Sequence, residues 1–151
     1  MIATRFAVSL HILTLVARGP TEQSTSARLA WSIGTNPVVV RRLSGLLARA
    51  GLITVQRGPG GASLARPANS ISLRDVWRAI HPERDKVLRV HARTNPACSV
   101  GLRLPDALRA RFEKAEAALL GDLGGTTLAD LAASLDADQP GRAAIAAANA
   151  A

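Results

Sequence analysis

The sequence predicts a mainly α-helical fold with one small β-hairpin, an α+β arrangement, and three observations lead there. Apolar residues recur at steps of three and four in several stretches. Two β-rich segments, residues 52–56 and 62–66, bracket Arg57-Gly58-Pro59-Gly60-Gly61, a turn that no helix tolerates. The chain has 151 residues, 48% of them hydrophobic, which allows one core of ordinary size or a small domain with a helical arm. With 3% aromatics and no tyrosine, that core is built from Ala, Leu, Val and Ile.

The elements follow in order. Residues 3–18 read as a helix with Phe6, Leu10, Leu13 and Ala17 on one face and Val8, Ile12 and Leu15 on another. A helix apolar on two faces needs two partners, its own domain and a second subunit. Gly19-Pro20 stops it. Residues 25–33 form a short helix with Leu29, Ala30 and Ile33 inward, and Gly34 breaks it. Thr35 or Asn36 caps the next helix and Pro37 suits its first turn. That third helix runs to about Ala50 with Val40, Leu43 and Leu47 inward. After the hairpin, Ser72-Leu73-Arg74-Asp75 fits a capping box that opens a helix to about Ile80. Residues 81–104 have weak periodicity and read as a connector. From about Pro105 to Leu120 a second long helix carries the stripe Leu108, Phe112, Ala115 and Leu119, with Arg109, Glu113, Lys114 and Glu116 on its polar side. Gly121, Gly124 and Gly125 are expected to end it, and Thr127 to Asp130 caps a short final helix through Leu135. The expected organisation is a DNA-binding domain over 1–80, a connector or sensor segment over 81–104, a dimerisation helix and short terminal helix over 105–135, and a flexible tail over 136–151.

Charge sharpens the functional reading. The formal net charge is +8, and the first 66 residues hold eight arginines against the single acid Glu22. Nearly all the excess therefore sits in the first half, which points to a polyanionic partner there and a different task for the second half. The single cysteine, Cys98, excludes an internal disulfide and a four-cysteine zinc site. The longest apolar run, residues 6–17, is too short to span a bilayer and lacks the pattern of a signal peptide. A cytoplasmic protein is expected. His11, His81 and His91 are scattered, and no catalytic triad, carboxylate pair or metal triad emerges, so catalysis is not expected.

The order helix, short helix, turn, helix, hairpin is that of a winged helix-turn-helix, here with a long C-terminal dimerisation helix. A helix fits the major groove, where base edges are read, and the preceding helix braces it. With Val40, Leu43 and Leu47 inward, helical spacing sends Asn36, Val38, Arg41, Arg42, Gly45 and Arg49 outward. Arginine pairs with guanine, asparagine with adenine, and valine meets a thymine methyl. Arg49, further along, is placed on phosphate, and Arg57 at the hairpin tip in a minor groove.

Residues 36–43 (NPVVVRRL), 46–53 (LLARAGLI), 57–64 (RGPGGASL) and 71–76 (ISLRDV) together resemble the Rrf2 family of bacterial transcription regulators over about residues 2–135. The resemblance implies a homodimeric binder of double-stranded operator DNA, usually a repressor, nucleoid-associated when bound, whose long helix crosses between subunits. Carried over by position, the base-reading side chains are Asn36, Val38, Arg41 and Arg42, with Arg57 in the minor groove; Thr35, Arg49, Gly60 and Gly61 complete the expected DNA-binding set. The dimer interface is Val8, Ile12, Leu15, Leu108, Phe112, Ala115 and Leu119. Many members hold an iron–sulfur cluster on three cysteines before the dimer helix. Here residues 95–101 (NPACSVG) keep one, which resembles the cluster-free branch, so neither a cofactor nor a metal site is expected. Cys98 is then either a buried residue at the dimer seam or a redox-responsive thiol near a helix N-terminus. The effector stays unnamed. The alternative reading is a winged-helix module that binds an acidic protein and no operator.

Overall fold

The computed structural model describes residues 2–56, 60–81, 88–91, 94–95 and 97–137. Its elements run α1 (Ile2–Arg18), α2 (Ser26–Ile33), α3 (Pro37–Arg49), β1 (Ile53–Val55), β2 (Ala62–Leu64), α4 (Leu73–Ile80), α5 (Ser99–Gly125) and α6 (Leu128–Ala137), with short 3-10 turns at Thr21–Gln23 and Ala68–Ser70. The two strands pair antiparallel, Ile53 opposite Leu64 and Val55 opposite Ala62.

Local chemistry sets most boundaries. Thr25 caps α2 by accepting from the Arg28 N–H, and Asn36 caps α3 by accepting from the Val38 N–H at 2.8 Å. Gly34 ends α2 with φ +70°, a left-handed turn that residues with a Cβ resist. Ser72 and Asp75 form the expected reciprocal capping box at the head of α4, with bonds of 3.1 and 3.0 Å. Thr127 and Asp130 repeat that exchange before α6.

The core lies where α1, α3, α4 and the hairpin meet. Ile12, Leu13, Val40, Leu47, Ile71 and Leu128 are fully enclosed there. Phe6 of α1 meets Trp77 of α4 edge to face at 5.1 Å. The backbone at Ile71 and Leu73 bonds to the turn before α6, which ties the end of the chain back to the winged unit.

Three expectations are corrected. The inward face of α1 is Ser9, Ile12, Leu13 and Val16, so Ile12 belongs to the protomer's own core and is unable to meet a partner. A helix apolar over much of its circumference carries no unambiguous stripe, and its neighbours decide the facing. The long helix begins at Ser99, ahead of Pro105, and runs on to Gly125, absorbing the end of the expected connector and the three glycines. A turn at Asn95, whose carbonyl accepts from the Cys98 N–H at 3.1 Å, launches it. Gly101 leaves room for that turn, since a Cβ there would come 2.8 Å from the Asn95 oxygen. Gly124 likewise makes room for the Arg74 guanidinium. Finally, Glu116 is buried, with Oε1 accepting from the Leu88 N–H at 2.7 Å. α6 extends to Ala137, and the remainder of the expected tail, residues 138–151, lies outside the described residues.

Candidate nucleic-acid interface

The interface is built on α3. Val40, Leu43, Ser44 and Leu47 anchor its inner face, and a 3.6-residue period then forces the intervening positions outward. Asn36, Val38, Arg41, Arg42 and Arg49 are all exposed, Val38 at 60%. Arg41 reaches the Ser26 hydroxyl on α2 at 3.4 Å. None of the three arginines faces a carboxylate among the described residues. The ion pairs there involve Arg18 with Asp136, Arg66 with Asp75 and Arg109 with Asp106. The outer face of α3 is thus a basic ridge without local neutralisation, and its positive potential is available to an anion.

The cap changes what Asn36 can offer. Its Oδ1 holds the Val38 N–H, which leaves the side-chain NH2 as the free donor. Thr35 is half-buried, and its backbone N–H completes the α2 ending by bonding to Ala30.

The hairpin stands beside α3. Thr54 and Ser63 bridge its strands through their hydroxyls at 2.7 Å. Gly60 is half-buried, and a Cβ on it would collide with Gln56. Gly61 corrects the expectation that it meets DNA: it is buried, has φ +71°, and a Cβ there would run into the Thr21 carbonyl. Its role is to let the hairpin cross the 3-10 turn at Thr21–Gln23. Arg57, expected at the hairpin tip, lies outside the described residues.

α5 presents an apolar surface of its own. Leu108 and Phe112 are half-buried, Ala115 is exposed and Leu119 is 39% exposed. The surface continues through Val100, 62% exposed, and Leu104, positions that the weak periodicity before Pro105 concealed. Val8 and Leu15 on α1 are half-buried and pack against the core.

Cys98 is the N-cap residue of α5 and is exposed. The backbone N–H groups of Gly101 and Val100 near its sulfur lower its pKa from the ordinary thiol value, because they favour the thiolate. Among the described residues no group of three or more His, Cys, Asp or Glu is placed to hold a metal ion. No helix among them is long and apolar enough to cross a membrane.

Sequence reasoning passed over Trp31. It stands on the outer side of α2 at 85% exposure, next to Arg28. A tryptophan in a stretch of three and four spacing reads as core, and only the packing of Leu29 and Ala30 against the domain reveals that it faces away.

Comparison with known proteins places this geometry. The family model described as "Rrf2: Iron-dependent Transcriptional regulator" matches residues 2–134. The chain is 39% identical over 131 residues to YwnA of Bacillus subtilis (strain 168), described as an HTH-type transcriptional regulator, covering 87% of this chain and 96% of that one. A crystal structure described as that of a DNA binding protein superposes with a TM-score of 0.68 at 37% identity, covering 84% of this chain and 97% of the other. The fold is also that of CymR, the global cysteine regulator of B. subtilis, with a TM-score of 0.62 at 24% identity over 87% of this chain and 95% of that one.

Proposed function

The chain belongs to the Rrf2 family of transcriptional regulators, and from that premise we propose that it acts as a homodimer that reads an operator with α3 in the major groove and the hairpin beside the neighbouring minor groove. It is a regulator and not an enzyme. The observation that carries the reading is the unneutralised basic ridge of α3, set opposite the buried Val40, Leu43 and Leu47. Arg41 and Arg42 donate to guanine edges, the Asn36 NH2 donates to an acceptor on a base, Val38 meets a thymine methyl, and Arg49 meets phosphate. Thr35 and Gly60 present backbone at the rim, and Arg57 is assigned to the minor groove as the sequence expects.

Dimerisation follows from α5. Leu108, Phe112, Ala115 and Leu119, extended by Val100 and Leu104, form an apolar surface on a single protomer that a second copy covers, with Val8 and Leu15 alongside. A two-fold axis then sets two α3 helices about one or two helical turns of DNA apart, so the operator is roughly palindromic. Overlap of that site with a promoter gives repression.

Rrf2 members can hold iron–sulfur clusters, which need several soft thiolates. The donor set here does not fit one, because Cys98 is the sole cysteine of the chain. We read this regulator as cluster-free, with Cys98 as the thiol that answers an oxidant. Anaerobic reconstitution with iron and sulfide is expected to leave no cluster absorbance after desalting.

The decisive experiment selects bound fragments from the source genome and follows their affinity by fluorescence anisotropy. Binding to a palindromic fragment is expected to weaken by orders of magnitude between about 50 and 200 mM salt, as phosphate counterions are displaced. Affinity that ignores both salt and sequence overturns the reading. Failure to retard any DNA together with capture of an acidic protein favours an interaction module instead.

A further inference from the structure

A cleft of about 370 Å³ opens between α2, α3 and the base of the hairpin, a volume in the range of sites for small molecules. Its walls include Leu29, Ala48, Val55 and Ala62. Among the described residues no acidic side chain lines it, and Arg41 is the charged one. Among the described residues the Arg41 guanidinium is held by one long 3.4 Å bond to the Ser26 hydroxyl, which leaves most of its donors available.

Ser44 gives the cleft a built interior. It stands on α3 between the core positions Leu43 and Leu47, lines the cleft, is 8% exposed, and its hydroxyl has no partner among the described residues. Its hydroxyl keeps an opening to the cleft and can donate to, or accept from, a group bound there. The first turn of α2, where Ser26 lines the same cleft, adds the positive end of a helix dipole.

We propose that this cleft binds a small organic carboxylate with a compact apolar body, its anionic end on Arg41 and Ser26 and an acceptor on Ser44. A carboxylate matches the free guanidinium fork, and the apolar walls take the hydrocarbon. A DNA phosphodiester would use Arg41 at the rim but would leave the apolar walls and the Ser44 hydroxyl unengaged. Occupation neutralises Arg41 and turns its donors inward, away from base edges. That regulatory consequence rests on the operator-reading role proposed for Arg41, whereas the ligand site does not. The ligand therefore acts as an inducer: it lowers operator affinity without touching the dimer face.

The test uses the full-length protein in its native oligomeric state, labelled with ¹⁵N and titrated separately with sodium hexanoate, hexanol and inorganic phosphate. Hexanoate is expected to shift the Ser44, Gly45, Ala48 and Ala62 amides saturably, with hexanol and phosphate at least about tenfold weaker. Arg41→Gln, an exposed substitution that leaves the core intact, is expected to weaken hexanoate about tenfold, and Ser44→Ala about fivefold. Hexanoate added to the operator complex is expected to lower DNA affinity for the wild type and not for Arg41→Gln. No saturable shift at those amides up to about 10 mM hexanoate overturns the site. So does phosphate binding as tightly as hexanoate with Ser44→Ala unaffected, which reassigns the cleft to the DNA backbone. Hexanoate that binds yet leaves operator affinity unchanged overturns the coupling. If no DNA binds at all, the operator reading falls, and the hexanoate titration still decides the site.

Discussion

α3 and α5 use opposite strategies on their outer faces. α3 is 13 residues long, with four inner positions buried, and its outer face is arginine without carboxylate partners. α5 is 27 residues long, roughly 40 Å, and its one buried residue is Glu116, while Val100, Leu102, Leu104 and Leu119 lie open. A basic face is comfortable in water and gains when it displaces counterions from a polyanion. An apolar face of this extent gains by meeting another apolar face. The two helices therefore face different partners, and each is open to attack without disturbing the other.

The largest effect is expected at α5. Phe112→Ala should weaken dimerisation by about 3–5 kcal/mol, read as a shift to monomer in sedimentation equilibrium on dilution. Operator affinity should fall with it, since a monomer spans one half-site. Unchanged dimerisation breaks the comparison. At α3, Arg42→Ala should cost about 1–3 kcal/mol of operator binding and relax the base preference, with the dimer untouched. Arg49→Ala should weaken all sequences alike and reduce the salt slope by about one. Equal, uniform losses in both variants would remove the distinction between reading and positioning along α3.

A fourth substitution sharpens the comparison by testing what holds α3 beside the hairpin. Gly61→Ala demands φ +71° from a residue with a Cβ and drives that Cβ into the Thr21 carbonyl. It should destabilise the fold by at least about 1–3 kcal/mol in urea unfolding. Gly34→Ala, with a similar φ but open space around it, should cost about 1–2 kcal/mol, the conformational term alone. The smallest effect concerns the head of α5. Since the Gly101 and Val100 amides lower the Cys98 pKa, its thiolate persists to lower pH than that of a free cysteine. The pH profile of its iodoacetamide alkylation should have a midpoint below the ordinary thiol value. A midpoint at or above that value would show that these amides do not favour the thiolate in solution.

Legibility followed the range of the interactions. The cap at Asn36, the breaker Gly34 and the capping box of α4 each depend on residues within four positions of one another and stand where the sequence puts them, while Thr25, read as part of α2, is its cap. The inner face of α3 was equally plain, because Val40, Leu43 and Leu47 recur at steps of three and four while Arg41, Arg42 and Arg49 fall on the other side. α1 was not, since its many apolar residues do not say which of them face the core. The start of α5 was hidden because Pro105 reads as a helix opening, whereas the turn at Asn95 opens it earlier. Glu116 looked like a solvated side chain because its partner, the Leu88 N–H, comes from 28 residues away.

By itself the amino-acid order determined which segments are helix or strand, where most of them begin, and that the positive charge gathers in the first half of the chain. Those properties arise from backbone sterics, nearby hydrogen bonds and composition, all of which act over a few residues. The three-dimensional packing alone decided that Ile12 is core, that Gly61 is a crossing point and not a contact, and that Arg41 and Ser44 share one cleft. The reason is that burial belongs to a group of elements. Which side of a helix loses its water depends on what lies against it, and residues distant in the chain supply that surface.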